Sequence, residues 1–258
     1  MRVRLELDRL GVRIAGKQVV EDFSAGFEGG RCIGILGGNG VGKTTLLHTI
    51  AGLREQDAGQ VRINGQATEE LGRRQLARQL ALLMQQYDDP FPASVLETAL
   101  IGRHPHIDFW QWESPEDIEL ARQALQATGM AELEQRDVHA LSGGERRRLA
   151  IATILAQDTQ IYLLDEPVDQ LDLLHQMRLL GRFRELAREH DRLVLMSLHD
   201  VNHAARFCDD VLLMYGNGEV VLDETYKVLN PANLERLYGI PVRMITTDDA
   251  LFFQPEWK

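Results

Sequence analysis

A glycine-rich stretch near the start of the chain has the composition of a phosphate-binding loop. GGNGVGKTT, residues 37–45, matches G-x-x-x-x-G-K-[ST] and lies between an apolar stretch and a helical pattern, which is the context this motif requires. Because glycine has no Cβ, backbone N–H groups at a helix N-terminus can converge on a phosphate. Lys43 could reach the β- and γ-phosphates, and the Thr44 hydroxyl could bind Mg²⁺. The loop residues expected to contact the phosphates are Gly37, Gly38, Asn39, Gly40, Val41, Gly42, Lys43, Thr44 and Thr45.

Two adjacent carboxylates supply a second set of ligands. In IYLLDE, residues 161–166, four apolar residues predict a buried strand that ends in Asp165 and Glu166. The carboxyl ends of the strands are where open α/β sheets bind ligands. Asp165 is therefore expected to hold Mg²⁺, and Glu166 is expected to orient or deprotonate an attacking water.

The elements around these motifs predict how they are positioned. Residues before the phosphate loop alternate apolar and polar, which predicts short strands turned by Gly16 and Gly26. RCIGILGG is a buried strand, and a helix is expected over residues 43–52. In the second half of the chain, near-continuous apolar strands alternate with helices, which is typical of a parallel sheet covered on both faces. The predicted fold class is therefore α/β.

A stretch with a helical residue pattern interrupts this core. Residues 88–157 have helical periodicity, with Ser114 as an N-cap and Pro115 at the first helical position. We expect a helical insert over 88–157 and a nucleotide-binding core formed by residues 1–87 and 158–258.

Composition excludes several functional classes. The 39 acidic residues outnumber the 28 basic ones, and a net charge of −11 argues against a nucleic-acid partner. No apolar run approaches the ~20 residues that a membrane-spanning helix needs, and the charged opening MRVRLELDRL is not a secretory signal. Cys32 and Cys208 have no metal or redox spacing and suit a reducing cytoplasm.

The stretch LSGGE, residues 141–145, predicts a second anion site. Ser142, Gly143 and Gly144 precede an apolar helix, so their N–H groups and the helix dipole could bind a phosphate. The alternative is a plain helix cap, for which Ser142 alone would suffice. The phosphate loop already serves the same chain, which makes a second site on the same subunit superfluous.

With LSGGE between the two phosphate-site motifs, nearly all of the chain resembles the ATP-binding subunit of ABC transporters. The resemblance implies a P-loop NTPase (RecA-like) core with an N-terminal antiparallel β-subdomain, and ATP with Mg²⁺ as ligands. It implies that two copies form a head-to-tail dimer, in which the signature of one closes on ATP held by the other. It further assigns Gln85, with neighbouring Gln86 as the alternative, to the sensing of Mg²⁺ and γ-phosphate. His199 in MSLHD resembles the switch histidine, and Asp172 in VDQLD resembles an aspartate at the dimer seam.

Three further stretches, GRHPH, DEPVDQLDLLHQ and LERLYGIPVRMI, resemble the type II importers for cobalamin, haem and ferric siderophores. The stretch FPASVLETALIGRHPH favours cobalamin as the cargo. Such importers pair two ATPase chains with integral-membrane permease subunits and a substrate-binding protein, so we expect this chain at the cytoplasmic face of the membrane. A soluble ABC ATPase of repair, translation or iron–sulfur assembly is the alternative.

The chain also departs from the family pattern. Gly38 stands where proline is usual, Val41 where serine or alanine is, and Val168-Asp169 where threonine-serine is common. Ile14 occupies the position at which the family stacks an aromatic residue on adenine. We therefore expect affinity to come mainly from the phosphates, with weak discrimination between ATP and GTP.

Overall fold

The computed structural model describes residues 2–85, 92–108, 110–247 and 251–256. Gln86 and the boundary predicted at 87/88 lie outside these ranges. The strands are β1 (Arg4–Ile14), β2 (Lys17–Glu28), β3 (Arg31–Gly37), β4 (Ala58–Ile63), β5 (Gln66–Ala67), β6 (Leu80–Leu83), β7 (Ile161–Leu164), β8 (Leu193–Ser197), β9 (Asp210–Met214), β10 (Val220–Glu224), β11 (Val242–Thr246) and β12 (Leu251–Pro255).

Nine α-helices occur among the described residues: α1 (Lys43–Ile50), α2 (Arg73–Ala77), α3 (Val95–Leu100), α4 (Pro115–Ala127), α5 (Gly143–Ala156), α6 (Leu173–His190), α7 (Val201–Phe207), α8 (Thr225–Val228) and α9 (Pro231–Tyr238). Short 3₁₀ turns span Thr68–Glu70, Ile101–Arg103, Ala131–Leu133 and Val138–Ala140. None of the described helices combines the length and apolarity needed to cross a bilayer.

The central sheet positions the predicted motifs. Its strand order is β10-β9-β3-β8-β7-β6, and every pair is parallel except β9 with β10. Strands β3, β8 and β7 are neighbours, so the segments that follow them emerge at the same carboxyl edge. The phosphate loop follows β3, the two acids follow β7, and His199 follows β8. The prediction of an α/β fold with a parallel sheet is confirmed.

A second sheet covers one face of the first. Its order is β2-β1-β4-β5, and it is antiparallel throughout. Buried residues of β1, β2 and β4 pack with α1 against β3, β7 and β8 in one hydrophobic cluster. The opposite face of the central sheet is covered by α5, α6 and α7.

The strands before the phosphate loop are longer than expected. Gly16 does form the predicted turn, with φ 78°, but the predicted turn at Gly26 is wrong. Gly26 lies inside β2 and pairs with Glu6 of β1, and the turn after this strand falls at Gly29-Gly30. Gly26 therefore has extended strand backbone, whereas Gly30 adopts the left-handed conformation that glycine favours in turns, with φ 95°.

The helices between β6 and β7 have a hydrophobic cluster of their own. Side chains of α3, α4 and α5 meet there, among them Val95, Ala121, Leu125, Leu149 and Ala152. Ser94, Ser114 and Ser142 begin these helices, each with a capping box in which side chain and backbone bond reciprocally. Ser114 as N-cap and Pro115 at the helix start are confirmed.

Candidate nucleotide-binding site

Glycines leave the phosphate loop with few side chains, and Lys43 hydrogen-bonds the loop's own carbonyl oxygens. Gly42 has φ 111°, and a Cβ there would lie 2.3 Å from Val19 Cγ1, so only glycine fits. Lys43 is buried, and its Nζ donates to the carbonyl oxygens of Gly37 at 2.9 Å and Gly38 at 3.3 Å. Burial lowers the pKa of Lys43, although nearby carboxylates, Glu166 first among them, counteract that effect.

A cleft of about 550 Å³ opens beside this loop. It brings together most of the residues that the sequence singled out. Its lining consists of Ile14, Asn39, Gly40, Gly42, Lys43, Thr44, Thr45, Gln85, Glu166, Asp169 and His199. Gly37 and Gly38 contribute the carbonyls that hold Lys43, and the Val41 side chain packs near Gly37 and Gly216.

Asp165 is buried next to the cleft residue Glu166, and Ser197 hydrogen-bonds both of them. Ser197, fully buried at the end of β8, donates from Oγ to Asp165 Oδ1 at 2.7 Å. Ser197 Oγ also accepts the backbone N–H of Glu166 at 2.8 Å. Glu166 itself has φ 49°, a left-handed conformation that a non-glycine residue adopts only when its surroundings hold it there. One hydroxyl therefore fixes both predicted acids.

Three neighbouring side chains bond the Glu166 carboxylate. Gln85 Nε2 donates to Oε2 at 2.6 Å, His199 Nε2 lies 2.7 Å from Oε1, and Asp169 makes a further side-chain hydrogen bond. Burial acts to raise the pKa of Glu166, but the charge of His199 and these hydrogen bonds hold that pKa below its ordinary value. Burial, the hydrogen bond to Glu166 and the Glu166 charge raise the pKa of Asp169. The hydrogen bond between these two carboxyl groups thus favours the protonated form of Asp169.

The arrangement of oxygen donors fits Mg²⁺. Asp165 Oδ2 is buried and has no hydrogen-bond partner among the described residues, which leaves one carboxylate oxygen free for a cation. The Thr44 hydroxyl belongs to the adjoining cleft. Carboxylate and hydroxyl oxygens are the ligands that Mg²⁺ prefers, and the ion takes its remaining ligands from water and phosphate. Gln85 was predicted as a further magnesium contact, and here its amide hydrogen-bonds Glu166 instead.

The LSGGE segment lies elsewhere. Ser142 is the N-cap of α5: its hydroxyl accepts from the Glu145 N–H at 3.3 Å, and Glu145 Oε2 accepts from the Ser142 N–H at 2.8 Å. Ser142 and Gly143 are exposed, and Gly144 is half-buried. In the described part of the chain, none of residues 142–144 lines the 550 Å³ cleft. The signature thus presents a helix N-terminus that its own phosphate loop does not use.

Asp172 is likewise outside the cleft. It is the N-cap of α6, accepting the His175 N–H at 2.9 Å, and its carboxylate also meets His175 Nδ1 at 2.8 Å. Leu173 and Leu174, which follow it, are 70% and 56% exposed.

Two residues of the site escaped the sequence analysis. Ser197 lies in MSLHD, two residues before His199, and its position at the end of a buried strand was the available signal. Arg147 lies in the charged run ERRR of the signature helix, yet it is 7% exposed. Its guanidinium donates to backbone carbonyl oxygens in two segments: that of Met84, beside Gln85, and those of Asp165 and Glu166.

Comparisons with known proteins agree with this geometry. A family model described as ABC transporter matches residues 20–169. The iron(3+)-hydroxamate import ATP-binding protein FhuC of Bacillus subtilis (strain 168) is 36% identical over 243 residues, covering 94% of this chain and 90% of that protein. The hemin import ATP-binding protein HmuV of Pseudomonas fluorescens (strain Pf0-1) is 38% identical over 247 residues, 94% of this chain and 95% of that protein. The cobalamin import ATP-binding protein BtuD of Halobacterium salinarum (strain ATCC 29341 / DSM 671 / R1) is 37% identical over 210 residues, 81% of this chain and 52% of that protein.

A solved structure confirms the fold. It is described as the inward-facing conformation of a metal-chelate type ABC transporter, with a TM-score of 0.86, 26% identity, and coverage of 99% of this chain and 98% of that one. The P-loop NTPase fold predicted from the sequence is therefore shown. Because the family model spans more than half of the chain and the relatives match it nearly from end to end, the chain belongs to the ABC transporter family, as an ATPase subunit whose activity is coupled to transport.

Proposed function

We propose that this chain hydrolyses ATP to energise the import of a metal-chelate compound: a ferric siderophore, haem or cobalamin. The observation that carries the proposal is the cleft itself, which places Lys43 of the phosphate loop and Glu166 within one lining. The importer class rests on relatives that share the whole length of the chain. The cobalamin relative is matched over about half of its length, so it does not favour cobalamin over the other two cargoes.

The residues of the cleft divide the work of hydrolysis. Lys43 exchanges the carbonyls of Gly37 and Gly38 for phosphate oxygens of ATP, while loop N–H groups bind the remaining oxygens. Asp165 and Thr44 would hold Mg²⁺, which neutralises phosphate charge when bound. Glu166 accepts a hydrogen bond from the attacking water and takes its proton.

In the state described, Glu166 is largely engaged by other side chains. Gln85, His199 and Asp169 take three of the about four acceptor positions of its carboxylate, so a partner that turns away would make room for the attacking water. We propose that Gln85 and His199 turn towards the γ-phosphate when ATP enters. Binding of ATP would then free the Glu166 carboxylate to act as the general base.

We further propose that a second copy of the chain completes each site. The support is the position of Ser142, Gly143 and Gly144, whose exposed helix N-terminus does not belong to the cleft of its own chain. In a head-to-tail dimer, this anion site would face the γ-phosphate held by the partner, and Asp172 would lie at the seam.

The insert and its partners are part of the same proposal. We assign residues 88–157 to a helical subdomain, supported by the separate hydrophobic cluster of α3, α4 and α5. Trp110 and Trp112 are each 90% exposed, and Met84, next to Gln85 in the chain, is 41% exposed, so this part of the surface offers large apolar side chains. Membrane permease subunits would dock on this surface and hold the chain at the cytoplasmic face of the membrane, with a substrate-binding protein acting on the far side.

The ATPase is tested by Glu166→Gln. We expect this variant to bind MgATP, to release no phosphate at steady state and to accumulate an ATP-bound dimer, because an amide keeps the shape but is a far poorer base. Glu189→Gln, a matched change on the exposed end of α6, should leave turnover unchanged. Turnover of Glu166→Gln near that of the wild type would remove Glu166 from its role.

The cargo is tested by growth. A strain without this gene should fail to use one of three supplies, a ferric hydroxamate, haem or cobalamin, when that supply is the sole source of the nutrient. Complementation with the wild type should restore that growth, whereas Glu166→Gln should not. Normal growth of the deletion strain on all three supplies would refute the proposed cargo class while leaving the ATPase assignment intact.

A further inference from the structure

Arg147, on the signature helix α5, reaches across to two other segments of the chain. Its guanidinium is almost completely buried, and its bonds go to backbone oxygens. Those oxygens belong to Met84 at 2.6 Å, Gln85 at 3.4 Å, Asp165 at 2.6 Å, Glu166 at 2.6 Å and Pro167 at 3.4 Å. One side chain thus joins the signature helix to the segment of Gln85 and to the turn that carries Glu166.

The sheet explains why one side chain can reach both segments. Strands β6 and β7 are parallel neighbours, with Leu83 opposite Leu164, so the residues after them leave the sheet side by side. A guanidinium offers five donors in a planar fork, which lets it bind several carbonyls at once. Lysine has a single point charge and cannot bridge the same set.

The charge of Arg147 is balanced by the site that it supports. Burial lowers the pKa of this guanidinium, while the nearby carboxyl groups of Asp169, Asp165 and Glu166 act against that effect. The buried cation therefore belongs with the catalytic carboxylates as one electrostatic unit.

We propose that Arg147 is a positioning residue that links the two ATP sites of the dimer, a role that rests on the dimer proposed above. Its own helix begins at Ser142-Gly143-Gly144, which serve the ATP of the partner. Arg147 follows Gly143 by four residues, or about 6 Å along a helix. A shift of the signature towards the partner's ATP therefore moves the carbonyls of Gln85 and Glu166, which serve the chain's own ATP.

Mixed dimers test this role. Wild-type and variant chains with different affinity tags are purified over both tags, so that each dimer holds one of each. A dimer of wild type with Glu166→Gln loses one catalytic base and keeps both signatures. Its ATP turnover is the reference for a dimer with one inactive site. A dimer of wild type with Arg147→Met should turn over on the order of tenfold more slowly than that reference, because both sites are misaligned.

Arg148→Met is the matched control. Arg148 lies on the same helix and also donates to carbonyls, those of Thr128 and Gly129, but these stay within the helical insert. We expect its mixed dimer to keep the wild-type rate and Hill coefficient for ATP. Arg147→Lys keeps the charge but bridges fewer of these carbonyls, so it should melt below the wild-type temperature. It should also lose cooperativity with little change in ATP affinity, which a purely structural role would not predict.

The outcomes separate the two proposals. If the mixed dimer with Arg147→Met turns over as fast as the one with Glu166→Gln, Arg147 serves only its own site and the link is refuted. A Hill coefficient unchanged in Arg147→Lys, together with a wild-type rate, would also refute it. If wild-type chains form no ATP-dependent dimer at all, the dimer proposal fails and this role fails with it.

Discussion

Ser197→Ala is the perturbation whose effect can be worked out most fully. The Ser197 hydroxyl is fully buried, donates to Asp165 Oδ1 and accepts the N–H of Glu166. Alanine fits the same space but offers neither bond. A buried carboxylate oxygen and a buried backbone N–H then lose their partner, and Asp165 is left with both oxygens unsatisfied among the described residues.

The magnitude follows from the kinds of bond that are lost. A hydrogen bond to a charged group contributes about 1.5–3 kcal/mol and a neutral one about 1 kcal/mol, so we expect the free energy of unfolding to fall by about 2.5–4 kcal/mol. For a chain of this size, that corresponds to a decrease in Tm of roughly 5–16 °C. Glu166 also loses the bond that holds its backbone at φ 49°, so kcat should fall by about tenfold or more.

Thr159→Val is the matched control for these measurements. Thr159 is equally buried, and its hydroxyl donates to the Ile161 carbonyl at 2.9 Å, at the end of β7 away from the acids. This variant loses the bond to Ile161 and a second one with the Tyr162 side chain, together about 2 kcal/mol, and should keep the wild-type kcat. Thermal melts and phosphate release of the two variants decide the matter. A Ser197→Ala protein that melts like Thr159→Val and hydrolyses ATP like the wild type would refute the reasoning.

Two further predictions concern residues in which the chain departs from its family. Asp169→Asn removes a carboxyl whose pKa is raised in the folded state, so the wild type loses the contribution of this carboxyl to stability as the pH rises from the ordinary Asp value of about 4 through the raised pKa, and the variant has no such loss. The gain in Tm from Asp169→Asn should therefore grow with pH; a constant difference would contradict it. Ile14→Tyr adds an aromatic face to the cleft, where Ile14 is 44% exposed, and should tighten ATP binding about fivefold or more with little change in kcat. An unchanged Kd, measured by calorimetry, would show that the base binds elsewhere.

Local patterns were sufficient for the phosphate loop and the acids. The loop is a contiguous motif whose glycines are dictated by close approach, as Gly42 against Val19 shows. The strand before Asp165 is apolar throughout because both faces of the sheet are covered, and that pattern is visible in one sequence. Helix starts were also readable, since Ser114 and Pro115 act through bonds within their own helix.

Features that depend on neighbours distant in sequence were not readable. Ser197 matters because β8 lies beside β7, and strand order is not encoded in either strand alone. Arg147 belongs to a charged run that resembles a solvated helix face, and only the packing of α5 on the core buries it. The predicted turn at Gly26 failed for a similar reason, because pairing with β1 keeps that glycine in extended backbone.

The central claim is that each ATP site is shared between two copies of this chain, and mixing two inactive variants tests it most directly. Lys43→Ala removes the cation of the phosphate loop, and Ser142→Arg blocks the helix N-terminus of the signature; neither homodimer has an intact site. A dimer with one chain of each has one intact site, formed by the phosphate loop of the Ser142→Arg chain and the signature of the Lys43→Ala chain. With random exchange, half of the dimers are mixed and each has one of its two sites, so an equal mixture should release phosphate measurably, at up to about a quarter of the wild-type rate. A mixture that stays as inactive as its two components would contradict the shared site.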